Sequence, residues 1–174
     1  MTDKPQAVVA DLPDPIIEYQ KSGKTDEEIL IEPGLMAVIN GKSYFIRCVA
    51  TLPVKDFTSN LEFGLWVELE REDFFKYKAA LDDDDKYKMF EAHGYLMNTW
   101  PAFPGTLGDD VTVKVINVNE KPFIVDINPS DVELGKYIEV GSMSDAVKQN
   151  VRNRIVKFYM PQDEVKPISD IYGK

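Results

Sequence analysis

Apolar and polar residues alternate most regularly over Leu61–Leu69. Leu61, Phe63, Leu65, Val67 and Leu69 fall on one face, and Glu62, Gly64, Trp66 and Glu68 on the other. Side chains alternate sides along a strand, so this spacing predicts a strand with one buried face. Trp66 stands alone on a face that is otherwise acidic or bare. That placement predicts either packing beneath a neighbouring helix or an exposed contact residue, and packing is the commoner fate. Residues 44–54 alternate in the same way, with Tyr44, Ile46, Cys48, Ala50 and Leu52 opposed to Phe45, Arg47, Val49 and Thr51. Residues 35–39 precede them across Asn40-Gly41, a pair that tolerates the positive φ values of a tight type I′ turn, so a β-hairpin is predicted. A second hairpin is predicted from 111–118 and 122–127, with its turn near Asn119-Glu120 and Pro122 at the beginning or edge of its strand.

The period lengthens over 71–81, where Phe74, Phe75, Lys78 and Leu81 approach a helical repeat. A longer helix is predicted over 145–159. Ser142 and Asp145 form its capping box, Met143, Val147, Val151 and Ile155 its apolar stripe, and Pro161 its end. Between 91 and 110 the chain is dense in glycine, proline and aromatics and reads as a rigid loop. Residues 1–28 show little periodicity, and Pro13 and Pro15 discourage a helix there. The expected organisation is a poorly ordered lead-in (1–28), a single α+β domain (29–160) and a loosely held tail (161–174). The fold class expected is α+β: a mainly antiparallel sheet from two hairpins plus one central strand, with helices packed on one face.

Charge narrows the range of partners. With 30 acidic and 20 basic residues the net charge is −10, a surface that repels phosphate backbones, so no nucleic-acid partner is expected. The densest basic stretch, Lys148 to Lys157, reads as one solvated helix face. No apolar stretch approaches the ~20 residues of a membrane helix, and the first residues lack the apolar run of a signal peptide. The expected location is therefore cytoplasmic, with no membrane partner.

Candidate chemistry is sparse. Cys48 is the only cysteine and falls on the apolar face of its strand, so it reads as a small buried hydrophobe, and zinc sites built on several cysteines are excluded. His93 is the only histidine, and no motif around it supports a Ser-His-Asp or Cys-His site. Asp82 to Asp85 supply four consecutive carboxylates, but the sixth and twelfth positions of a calcium loop starting there are Tyr87 and His93. A solvated acidic turn is expected instead. No phosphate-binding glycine loop or nucleophile elbow occurs, so no catalytic residue, cofactor or metal is assigned.

A series of short words gives the chain a relationship. Phe45-Ile46-Arg47, Leu52-Pro53-Val54, Phe63-Gly64-Leu65-Trp66-Val67 and Asp73-Phe74 are followed by Gly94-Tyr95-Leu96-Met97-Asn98. Pro101 to Leu107, Pro122-Phe123-Ile124 and Asn128-Pro129-Ser130-Asp131 come after. In this order they resemble a bacterial family, domain of unknown function 2199, from about Tyr44 onward. Members of that family often begin with a cysteine-rich segment that looks like a metal ribbon. This chain has no cysteine before Tyr44, so the resemblance carries over no metal site. The family's histidine after its last Thr-Asp pair is also missing, because Val132 follows Ser130-Asp131 here. The resemblance implies no activity.

The function expected is a non-catalytic binding module. Its candidate surface comprises Trp66, Tyr95, Asn98, Trp100, Phe103, Asp126 and Asp131, because tyrosine and tryptophan bury much area for little lost rotamer freedom. One alternative is an enzyme of unrecognised type using carboxylates, Asp126 and Asp131 among them, in a cleft beside the 94–108 loop. A second is an acidic immunity or inhibitor protein for a basic partner. A third possibility is that the loop's aromatics are simply core.

Overall fold

The computed structural model describes residues 7–52, 61–82, 89–100, 103, 105–116 and 120–127. In chain order the elements are β1 (Ala7–Val9), α1 (Asp14–Ser22), β2 (Ile29–Glu32), β3 (Met36–Ile39), β4 (Ser43–Leu52), β5 (Leu61–Leu69), α2 (Arg71–Asp82), β6 (Phe90–Leu96), β7 (Asp110–Val115) and β8 (Phe123–Ile127). The hairpin predicted across Asn40-Gly41 is β3–β4, with φ of 53° at Asn40 and 62° at Gly41 and the turn closed by the Lys42 N–H on the Ile39 carbonyl. The strand predicted over Leu61–Leu69 is β5, and the second hairpin is β7–β8.

The expected open α+β sheet is overturned. The strand order is β1-β5-β6-β7-β8-β4-β3-β2, and β5 also pairs with β4, so β4 to β8 close into a five-stranded barrel. Successive strands of this meander run antiparallel. With an odd number of strands the first and last must point the same way, and β4 and β8 do meet in parallel. The seam is narrow, formed at Val49 opposite Phe123, with the Val49 N–H on the Pro122 carbonyl at 2.8 Å. The helices do not share a face. Ile16 of α1 packs outside the sheet, while Phe74 and Tyr77 of α2 join the barrel's interior cluster.

The missing strand was β6. Residues 91–110 read as a loop, yet Phe90–Leu96 turns Ala92, Gly94 and Leu96 inward and His93 and Tyr95 outward. Gly94 occupies an inward position because no side chain fits there. A methyl group on it would lie 2.5 Å from the Glu68 carbonyl oxygen and 2.6 Å from Val67 Cγ1.

The lead-in expected over 1–28 also contains regular structure in its described part. Pro13 is the N-cap of α1 and Pro15 lies in its first turn, where the missing N–H has no helical partner to lose. The prolines start this helix, and Gly23, with φ of 73°, ends it. The helix expected over 145–159 and the tail over 161–174 lie outside the described residues. In α2 the buried stripe is Phe74, Tyr77 and Ala80, and Phe75 remains half exposed.

The two longest strands, β4 and β5, pair from Tyr44 opposite Leu69 to Leu52 opposite Leu61, and each serves two neighbours on its other edge. That edge of β5 takes β1 in parallel at Glu62 to Gly64, then β6 antiparallel at Val67 to Leu69. On β4 the outer edge takes β3 at Ser43 to Ile46, then β8 at Val49. Both changes fall at one cross-strand row, Arg47 opposite Trp66. The backbone groups left over in the gaps are satisfied singly. Arg47 N–H donates to the Leu35 carbonyl at 3.0 Å, and Trp66 N–H to Asn98 Oδ1 at 2.7 Å.

Inward side chains of the barrel strands form the main core, including Ile46, Cys48, Phe63, Leu65, Val67, Val111, Val113 and Ile127. A second cluster, Ile16, Ala37, Phe45 and Trp66, lies on the outer face of β3–β5 beneath α1. Adding a methyl group at Gly94 is expected to destabilise the protein by about 1–3 kcal/mol, the usual cost of overpacking a close backbone approach. Urea unfolding of Gly94→Ala checks this, and an unchanged midpoint would contradict the close approach.

Candidate binding surface

The structure separates the residues expected to form one surface. Trp66, Trp100 and Phe103 are fully buried and Asn98 is 2% exposed, so none of them can contact a partner in the folded state. Trp66 lies under α1 and donates its indole N–H to the Ala10 carbonyl at 3.0 Å. Trp100 packs on Phe63 and Phe103 at centroid distances of 5.4 and 6.5 Å. Thr106 pins the loop by accepting from the Trp100 N–H and donating to the Phe103 carbonyl, both at 2.8 Å. These aromatics are core.

Asn98 has a structural task that its sequence neighbourhood did not reveal. Its Oδ1 accepts from Trp66 N–H, and its Nδ2 donates to the Leu12 carbonyl at 2.9 Å and to Asp14 Oδ1 at 3.0 Å. The other carboxylate oxygen of Asp14 accepts from the Thr99 N–H at 3.0 Å. One amide thus fastens the N-terminal segment to β5 and to the end of β6.

Tyr95 and Asp126 are exposed, on the outer face of β6 and β8. Cross-strand rows place Tyr95 opposite Asp110, and His93 opposite Thr112, which faces Asp126 in turn. His93, Asp110, Thr112 and Asp126 line a shallow hollow of about 220 Å³. His93 Nε2 lies 3.5 Å from Asp110 Oδ1 with both side chains largely in water, where such a pair contributes little. Asp126 therefore joins this outer row, away from the buried loop aromatics, and Asp131 lies outside the described residues. Among the described residues no cluster of three or more His, Cys, Asp or Glu side chains could hold a metal.

Sequence reasoning missed a different surface. β2 is the last strand of the sheet, and among the described residues nothing pairs with its outer edge. Its Leu30 is 58% exposed and Ile31 38% exposed. Beside it, between β2–β3 and α2, runs an apolar groove of about 440 Å³ walled by Leu30, Met36, Val38, Phe74 and Phe75. Tyr44 forms a shared wall with a second hollow of about 410 Å³, lined by Lys42, Glu68, Arg71 and Tyr95 among others. Tyr44 is held by its hydroxyl on the Gly41 carbonyl at 2.6 Å and by Phe74 and Phe75 at centroid distances of 5.1 and 5.6 Å. Asp26, Glu27, Glu28 and Glu32 are exposed around β2, so the apolar edge has acidic flanks. The run Ile29-Leu30-Ile31 beside carboxylates was the available signal. Without strand alternation it did not announce an edge.

Cys48 is fully buried on the inner face of β4. Burial raises its thiol pKa well above the ordinary range, and the charges of Arg47 and Lys121 offset this only in part. The reactive thiolate is thereby suppressed. A thiol reagent such as dithionitrobenzoate should modify Cys48 at the rate of unfolding, so labelling rises with urea across the unfolding transition. Rapid labelling in native buffer would contradict the burial.

No helix among the described residues is long and apolar enough to cross a membrane. No curated protein and no solved structure matches the chain. Residues 1–141 match a family described as an uncharacterized protein conserved in bacteria, a match that extends the resemblance from Tyr44 back through β1, α1 and β2. With most of its length covered, the chain belongs to the domain of unknown function 2199 family.

Proposed function

We propose that this protein is a non-catalytic binding module that takes an extended apolar segment of a partner protein along the outer edge of β2. The observation that carries the reading is the exposure of Leu30 and Ile31 on an edge strand beside an apolar groove. Unpaired strand edges are templates for another chain, and proteins ordinarily blunt them with charge, proline or a covering element. An added strand would gain main-chain hydrogen bonds, while alternate side chains enter the groove against Phe74 and Phe75. The carboxylates of Asp26, Glu27, Glu28 and Glu32 favour a segment flanked by lysine or arginine, which suits the net charge of −10. This reading keeps the expectation of a basic partner and seats the binding surface on β2 rather than on the loop aromatics.

The test is a titration of the isotope-labelled protein with a synthetic peptide of alternating valine and threonine flanked by lysines, followed by amide NMR. Shifts are expected at Ile29 to Glu32 and along Phe74 to Lys78. Leu30→Lys should weaken binding by roughly tenfold or more, because a buried leucine contributes about 1.5–3 kcal/mol. Shifts confined to other strands, or equal affinity in the variant, would refute the edge-strand reading.

A further inference from the structure

The gap on β4 where its outer neighbour changes from β3 to β8 holds two cations. Arg47 projects from β4 on the outer face, and its guanidinium lies over Gly64 of β5. A methyl group there would meet Arg47 Nε, Cζ and Nη2, each at 3.1 Å. The guanidinium also reaches the turn between β2 and β3, with Nη1 3.9 Å from where a Gly34 methyl would stand. Lys121, which leads into β8, donates its ammonium to the Gly34 carbonyl. Arg47 and Lys121 therefore converge on the same turn.

Among the described residues neither cation has a carboxylate partner, in a protein with ten more acidic than basic residues. Arg47 Nε is buried and has no hydrogen-bond acceptor. A buried donor left without an acceptor is costly, and more so on a charged group. Burial first, and then the Arg47 charge, push the Lys121 pKa below the ordinary lysine value. The two cations oppose one another in a partly enclosed site, which an anion would relieve.

We propose that Arg47 and Lys121 form a seat for a phosphate-type oxyanion at the Gly34 turn, where β4 changes its neighbour from β3 to β8. A planar guanidinium suits two oxygens of one phosphate, and a lysine ammonium adds a point charge. Two positive charges match a dianion better than a carboxylate. The Gly64 backbone leaves the space in which the guanidinium lies flat.

Inorganic phosphate is the first probe, titrated at constant ionic strength against sodium chloride because nonspecific effects are screened alike. The expected result is a saturable shift of the Arg47 Nε–H resonance in the wild-type protein and a rise in melting temperature beyond that in chloride. Arg47→Gln and Lys121→Gln should each weaken phosphate binding by roughly tenfold or more. Acetate should bind more weakly than phosphate. Phenyl phosphate distinguishes the sources: affinity equal to inorganic phosphate supports a group carried on a larger molecule, and selective binding of inorganic phosphate supports the free ion. A response identical to chloride, an unmoved Arg47 resonance, variants that bind as the wild type does, or acetate binding as tightly as phosphate would each overturn the proposal.

Discussion

The structure turns on the single cross-strand row of Arg47 and Trp66. At this row the two longest strands keep each other and exchange their other neighbours. An exchange of neighbours leaves backbone donors between one ladder and the next, and a buried donor without an acceptor is costly. On β4 the gap is closed by the Leu35 carbonyl of the adjoining turn. On β5 it is closed by Asn98, whose side-chain carbonyl stands in for a missing strand. Because the same amide holds Leu12 and Asp14, the repair of the ladder also anchors α1 over Trp66. Barrel closure, the outer cluster and the N-terminal strap thus share one junction.

That junction explains how the surfaces arise. On the β5 side the gap is filled and covered, and it becomes core. On the β4 side the backbone is likewise satisfied, but Arg47 and Lys121 meet at the Gly34 turn with no carboxylate partner among the described residues. Beyond β3 the sheet ends in β2, which carries apolar side chains and, among the described residues, has no strand on its outer edge. The proposed peptide edge and the proposed oxyanion seat are consequences of one topology: long strands β4 and β5 whose extra length projects beyond a small barrel.

Much of the strand content was legible because one buried face produces alternation. The interior positions of β4, β5 and β7 stand out for this reason, as does the turn at Asn40-Gly41. Gly94 hid β6, since the residue that permits the close approach of Glu68 and Val67 also resembles a loop residue. Pro13 and Pro15 hid α1, because a proline that starts a helix and one that prevents it look alike without the structure. The predicted surface failed for a related reason. Trp100, Phe103 and Asn98 mark a rigid segment, and rigidity serves a core as well as a binding site. Barrel closure could not be read, because the Val49–Phe123 seam depends on which distant edges meet.

The most direct test of the junction is hydrogen exchange at the Trp66 amide, compared with the β7 amides of Val111 to Val115, in the wild type and in Asn98→Ala. In the wild type, Trp66 should exchange as slowly as the barrel amides. In the variant its protection, and that of α1, should fall at least about tenfold further than that of β7, because a buried donor has lost its acceptor while the barrel ladder remains. Parallel loss of protection at Trp66 and β7, or none at either, would contradict the role assigned to Asn98.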